Sequence, residues 1–265
     1  MKFSDLFSQA SSLRILETNI ITLADIANTS MGKCDNLIDL VDFHSHILPG
    51  ADHGSYSVSE SETQLDLAYQ FGVRRIIATP HFYPDSHTVE EFLKRREQAL
   101  GMLCRSFSEE RPSVILGAEV LACRGIEKMP GLEKLFISGT NTLLFELPYS
   151  GFDEECVASV SSLVKDGVDV VLAHADRYEI NNVMKLVEAG ARVQLNADSV
   201  CSFFKRRRCK PYLDGGHVVA LGSDIHNRNI SAYKHFSKAI SILSKHISFI
   251  KEESDKVWER AFSKK

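Results

Sequence analysis

From Leu37 onward, short apolar runs rich in Val, Ile and Leu alternate along the chain with longer amphipathic segments. Repeated βα units produce this pattern, because strands of a parallel sheet are buried on both faces while the helices between them keep one polar side. Seven runs have strand length, at 38–43, 74–78, 113–116, 142–145, 168–172, 192–195 and 217–221. Between them the pattern predicts helices over 58–71, 89–107, 153–166, 180–189 and 199–207, several ending near a glycine or a charged residue. The third and fourth strands are joined less regularly, through Pro130 and Gly131. With no fixed-period repeat and no low-complexity linker, residues 38–265 read as one α/β domain, and residues 1–37 as an N-terminal extension with one or two helices around Leu13 to Ala27. Seven alternations favour a barrel; an open doubly wound sheet is the structural alternative.

Composition narrows the class. A hydrophobic fraction of 44% and a charged fraction of 25% are ordinary for a globular domain that buries its core without disulfides. The formal net charge of -4 leaves no broad basic footprint, so bulk nucleic-acid binding is not expected. Six cysteines, at 34, 104, 123, 156, 201 and 209, form no CxxC pair and read as free thiols in a reducing compartment. Ile15 to Ala27 is apolar but interrupted by Glu17, Asn19 and Asp25, which fits neither a signal peptide nor a spanning helix. A cytoplasmic protein without membrane insertion is the expectation.

The chemistry stands at the ends of the apolar runs. His44 and His46 follow the first, His81 the second, Glu119 the third, Glu146 the fourth, His174 the fifth, and Asp224 and His226 the seventh. In a parallel barrel all C-terminal strand ends open onto one face, so residues far apart in sequence converge there. The i, i+2 spacing of His44 and His46 on extended chain points both imidazoles to one side, and Asp224 and His226 repeat it with a carboxylate. A lone histidine is more often a core or capping residue; eight such groups at strand ends are not. Nitrogen and oxygen donors without cysteine favour Zn, Mn or Fe, and eight donors exceed what one ion uses. Clustered divalent ions promote hydrolysis of phosphate esters, and Arg177, three residues after His174, is spaced to grip phosphoryl oxygens. His87, His217, His235, His246, Asp39 and Asp66 lack the strand-end placement and read as ordinary surface or core residues.

These segments resemble the PHP (polymerase and histidinol phosphatase) superfamily and, within it, the CpsB/YwqE-type bacterial tyrosine-protein phosphatases of capsule and exopolysaccharide synthesis. The resemblance rests on the stretch from Asp42 through His44 and His46 to Gly50, on Ala78 to His81, Gly117 to Glu119, Phe145 to Pro148, Ala173 to Tyr178 and Ser223 to Asn227, in the family's order. It implies a distorted TIM-like (β/α)7 barrel holding a cluster of three divalent ions, usually manganese, with Fe or Zn possible. The matching ligands are His44, His46, His81, Glu119, Glu146, His174, Asp224 and His226, and Arg177 matches an arginine that binds substrate phosphate. It also implies a phosphotyrosine protein as partner, in the family an autophosphorylating tyrosine kinase. Two positions depart. Where the family has Asp-Asp-Gly, this chain has Asp52-His53-Gly54, so Asp52 and His53 are the residues expected to complete the metal set; after Asn227 stands Arg228, the candidate for a second phosphate-binding arginine.

Two other enzyme readings and one without catalysis compete. Cys201 and Arg207 have the C-x5-R spacing of cysteine-dependent phosphatases, but the intervening residues include two phenylalanines and no glycine, unlike a loop that presents backbone N–H groups to phosphate. The basic run from Lys205 to Lys210 reads as a solvated helix face or as a patch for an acidic phosphopeptide or polyanionic glycan. A small-molecule phosphatase acting on an ester such as histidinol phosphate shares the same metal chemistry. A PHP domain that only binds is the reading without catalysis, motivated by His53.

Overall fold

The apolar runs form strands, in most of which β-branched and leucine side chains are buried on both faces of the backbone. In this computed structural model, which describes residues 38–148 and 153–263, they are β1 (Ile38–Ser45), β2 (Val73–Ala78), β3 (His81–Phe82), β4 (Ser113–Leu116), β5 (Glu119–Leu121), β6 (Thr142–Glu146), β7 (Asp169–Leu172), β8 (Arg192–Asn196) and β9 (Val218–Gly222). The N-terminal extension, with its predicted helices around Leu13 to Ala27, lies outside the described residues.

All neighbouring strands are parallel, in the order β3-β5-β6-β7-β8-β9-β1-β2-β4. Two residues separate β2 from β3, and two separate β4 from β5, so each pair is one strand with a break. Counted that way, seven strands form a closed ring, since β1 pairs with both β2 and β9 while β5 pairs with both β3 and β6. The predicted seven-stranded barrel is thus present, distorted at the two breaks.

Eight helices accompany the strands among the described residues: α1 (Val58–Gln70), α2 (Val89–Leu103), α3 (Glu154–Lys165), α4 (Ile180–Glu188), α5 (Ala197–Cys201), α6 (Phe203–Asp214), α7 (Ser231–Ile242) and α8 (Ile247–Phe262). Their starts follow side-chain chemistry. The Ser57 hydroxyl accepts from the Glu60 N–H ahead of α1, Thr88 and Glu91 form a reciprocal capping box ahead of α2, and Asp153 accepts from the Cys156 N–H ahead of α3. The single helix predicted over 199–207 is instead two. Ser202, at φ -82° and ψ 124°, is extended and separates α5 from α6, which then runs past Arg207 with Pro211 inside it. The βα alternation left no place for α7 and α8, which follow the last strand.

Two buried sets hold the barrel. One lies between strands and helices and includes Leu40, Ile76, Leu143, Phe145, Leu172 and Leu195. The other, Val41, Phe43, Ile77, Ile115, Leu144, Val171 and Val219, comes from opposing strands and is joined by Val257 and Trp258 of α8. Ion pairs join Asp39, Arg75 and Arg192, which begin or nearly begin β1, β2 and β8, to Lys251, Asp255 and Glu253 of α8. The C-terminal helix therefore crosses the N-terminal ends of the strands and leaves their C-terminal ends open.

Candidate metal centre

The open end collects the polar residues. Glu119, the first residue of β5, is fully buried and central: its Oε2 lies 3.1 Å from His44 Nε2, 3.3 Å from His46 Nε2 and 2.9 Å from His81 Nδ1. Its Oε1 is 2.6 Å from His174 Nε2. The break between β2 and β3 is what brings His81 into this cluster, since His81 stands in register with Glu119 across β3 and β5. Asp224 Oδ1 approaches His46 Nε2 at 3.4 Å and His226 Nδ1 at 3.5 Å, and Glu146 faces His81 and His174 at 3.8 and 3.4 Å. Three groups of donors lie within 4.8 Å of one another: His46, His81 and His226; His44, His46 and Asp224; and His81, Glu119 and Glu146.

The outer nitrogens are held by the protein, which aims the inner ones at the centre. His46 Nδ1 donates to Asp52 Oδ2 at 2.7 Å, His44 Nδ1 donates to Gln194 Oε1 at 3.2 Å, and the Tyr178 hydroxyl lies 3.3 Å from His174 Nδ1. Burial disfavours charge on Glu119, yet the imidazoles of His44 and His174 outweigh it and hold the carboxyl well below its usual range. The burial of His174 is likewise overcome by its bonds to Glu119 and Glu146, which push it up to about 9. His226, whose desolvation is not repaid, is pushed down to about 4.

The donor set fits cations. His81 Nδ1 and Glu119 Oε2 are buried without a hydrogen bond although they face each other, and imidazole nitrogens and carboxylate oxygens gather within 4.8 Å of one another in three groups. Such a mixed nitrogen and oxygen cage is what Zn, Mn or Fe coordinates. Backbone strain is also stored here: His174 and Asp224 take φ of 32° and 49°, the left-handed region that non-glycine residues rarely adopt. Two glycines permit the close approach. A Cβ on Gly54 would meet His46 Cβ at 2.0 Å, and one on Gly222 would meet His44 Cβ at 2.6 Å.

The remaining predicted residues are placed differently. Asp52 spends Oδ2 on His46 and on the His81 N–H, and Oδ1 on the Gly54 N–H, so both its oxygens serve protein donors. His53 stacks on His81 at 4.7 Å with the rings 10° apart and belongs to none of the three donor groups. Arg177 bonds Asp224 Oδ2 and lines the cavity, whereas Arg228 is exposed and the cavity wall passes through Asn229. That cavity, about 860 Å³, also has Tyr83, Leu121, Pro148, Asn196 and His235 in its wall.

Gln194 and Asn196 on β8 were not read from the sequence. Gln194 Oε1 accepts from His44 and from the His174 N–H at 2.7 Å, and Asn196 Nδ2 donates to Asp224 at 2.8 Å. Their i, i+2 spacing at a strand end repeats that of His44 and His46, so a signal existed, carried by amides instead of imidazoles. His235, set aside as ordinary, reaches the cavity from α7. The C-x5-R segment is no phosphate loop: residues 203–207 are helical, Cys201 donates to the His235 carbonyl at 3.4 Å, and burial pushes its thiol up.

A family model described as capsular polysaccharide synthesis, CpsB/CapC, matches residues 40–257. Over 226 residues the chain is 26% identical to the tyrosine-protein phosphatase CpsB of Streptococcus pneumoniae, covering 78% of this chain and 90% of that one. Over 217 residues it is 27% identical to the tyrosine-protein phosphatase YwqE of Bacillus subtilis strain 168, covering 78% and 84%. A chain from the solved structures of YwqE and CpsB, there described as unique metal-dependent tyrosine phosphatases, superposes with a TM-score of 0.67 at 24% identity, over 84% of this chain and 92% of the other. That last likeness is one of fold.

Proposed function

We propose, from the premise that this chain belongs to the CpsB/CapC family of capsular polysaccharide synthesis, that it is a metal-dependent protein-tyrosine phosphatase with residues 38–265 as its catalytic domain. The observation that carries this is the convergence of four imidazoles, those of His44, His46, His81 and His174, on Glu119, with Asp224 against His46, beside an arginine-bearing cavity. His44, His46, His81, Glu119, Glu146, His174, Asp224 and His226 are the residues that hold cations, three manganese ions being the occupancy the family implies. Divalent cations held there supply positive charge to phosphoryl oxygens and lower the pKa of a water.

The chain itself does the rest. Arg177 binds the phosphoryl group through its guanidinium edge, in exchange for part of its bonding to Asp224. Asp52 and Gln194 fix the tautomers of His46 and His44. Tyr83, whose ring stacks on His81 at 5.1 Å, lines the cavity together with Leu121 and Pro148, and this apolar lining supports an aryl ester. None of the five free cysteines among the described residues lines the cavity, so none of these five is placed to act as a nucleophile. The substrate is a phosphotyrosine protein, by family an autophosphorylating tyrosine kinase. Free thiols and the lack, among the described residues, of a helix long and apolar enough to cross a membrane fit action in the cytoplasm.

The test is phosphate release from a tyrosine-phosphorylated peptide by manganese-loaded protein. Chelation by EDTA and His44→Ala should each abolish it, and Cys201→Ser should leave it intact. Undiminished turnover in EDTA overturns the metal mechanism; faster turnover of alkyl phosphates than of phosphotyrosine moves the substrate to a small ester.

A further inference from the structure

A second groove, of about 400 Å³, shares no lining residue with the catalytic cavity; Phe203, Arg206, Arg207, Lys210, Asp214 and Leu243 are in its wall. Its charge is unusual for a chain of net charge -4: helix α6 carries five cations within positions 205–210. Three of them face a carboxylate, Lys205 with Asp198 at 3.6 Å, Arg208 with Glu179 at 3.4 Å and Lys210 with Asp214 at 2.9 Å. Arg206 and Arg207, both on the groove, pair with no carboxylate among the described residues; Arg206 donates to the Val200 carbonyl at 3.0 Å. A merely solvated helix face would keep its apolar residues underneath, yet Phe203 and Phe204 at the start of α6 are 63% and 81% exposed. The groove therefore offers apolar contact beside positive charge that the protein does not neutralise.

Its position gives that chemistry a use. Asp198 on α5 lines the catalytic cavity, and Phe203, the first residue of α6, lines the groove, so the two openings are flanked by consecutive helices. Phe203 follows Asp198 by five positions, which caps their Cα separation at ~18 Å, about the span of five extended residues of a bound peptide.

We propose that this groove docks an acidic stretch of the phosphorylated polypeptide substrate, about five residues from the phosphotyrosine that enters the metal centre. The inference rests on the protein-tyrosine phosphatase reading. Charge complementarity selects the acidic segment, and the short reach from Phe203 to Asp198 in the cavity wall selects a segment of the substrate itself over a separate ligand. The concave slot, with Arg206, Arg207 and Lys210 on its wall, suits a threaded chain better than a flat bilayer.

The experiment uses manganese-loaded full-length protein and three substrates: p-nitrophenyl phosphate, a phosphotyrosine peptide with a Glu/Asp tract about six residues away on either side, and the same peptide with the tract neutral. Arg207→Glu, alone and with Arg206→Glu, should raise KM for the acidic peptide about fivefold or more with kcat unchanged, and should flatten its salt dependence. Turnover of p-nitrophenyl phosphate and of the neutral peptide should not move. Fluorescence anisotropy of the labelled acidic peptide reads docking without turnover, so inactivity on every substrate would defeat the phosphatase reading while the binding arm still decides this one. Unchanged KM and affinity in Arg207→Glu overturn the proposal. So does unchanged peptide binding combined with lost binding to phosphatidylglycerol vesicles, which would make the patch a lipid contact.

Discussion

Asp52 and Gln194 illustrate how little separates a ligand from the residue that aims one. Both touch the ring nitrogen opposite the one pointing at the centre, at 2.7 Å from His46 Nδ1 and 3.2 Å from His44 Nδ1. A carboxylate there holds His46 in one tautomer and one orientation; an amide does the same for His44 while also accepting the His174 N–H. Removing such partners weakens metal affinity by about 10–100-fold in comparable sites. Asp52→Ala and Gln194→Leu should each do so here, read as manganese titrations by calorimetry, and saturating metal should restore most of the activity. His44→Ala should not recover at any concentration. Wild-type affinity in Asp52→Ala would return Asp52 to a role in holding the backbone N–H groups of Gly54 and His81. The sequence pointed to Asp52 by family pattern and to His44 by spacing, but could not tell an oxygen that binds metal from one that binds a histidine: both need the same residue at nearly the same place. Gln194 escaped because a neutral amide is no usual ligand for these metals, so the i, i+2 spacing it shares with Asn196 did not mark it as part of the set.

At the scale of elements, what the alternation of apolar and amphipathic segments could predict is what repeats. Each of the seven runs is a strand, because repeated burial between helix layers imposes the same apolar pattern on every one. What does not repeat was not legible: the breaks after β2 and β4, which create the short β3 and β5, are set by two-residue interruptions at Thr79-Pro80 and Gly117-Ala118. Those breaks matter most for chemistry, since they align His81 with Glu119. Helices α7 and α8 carried a readable signal, Ala232, Tyr233, Phe236 and Ala239 recurring on one buried face, but stood outside the βα repeat. Local stops and starts are separable from the site. The capping box of α2 joins Thr88 to Glu91 at a surface helix end, so Thr88→Ala should lower stability by about 1 kcal/mol in urea unfolding. Manganese affinity should stay unchanged, and a shift in affinity would mean that α2 positions the metal residues more directly than these contacts indicate.

Across the whole molecule, the barrel divides its labour between two ends. At one, α8 lays Val257 and Trp258 against the buried residues inside the ring and ties its charged face to Asp39, Arg75 and Arg192. At the other, strand ends supply imidazoles, carboxylates and two residues in strained left-handed conformation. Parallel barrels make this division natural: all strands start on one face and finish on the other, so stability and chemistry need not compete for the same positions. Trp258 tests it. The side chain is 8% exposed, and its truncation to alanine should open a cavity worth about 3–5 kcal/mol of lost stability. If the two ends are independent, Trp258→Ala at a temperature where it remains folded should keep manganese affinity and the KM for phosphotyrosine peptide. A variant that stays folded yet loses metal would show instead that packing inside the ring sets the spacing of the strand ends, and that His44, on the same strand as Val41 and Phe43, is held in place from below.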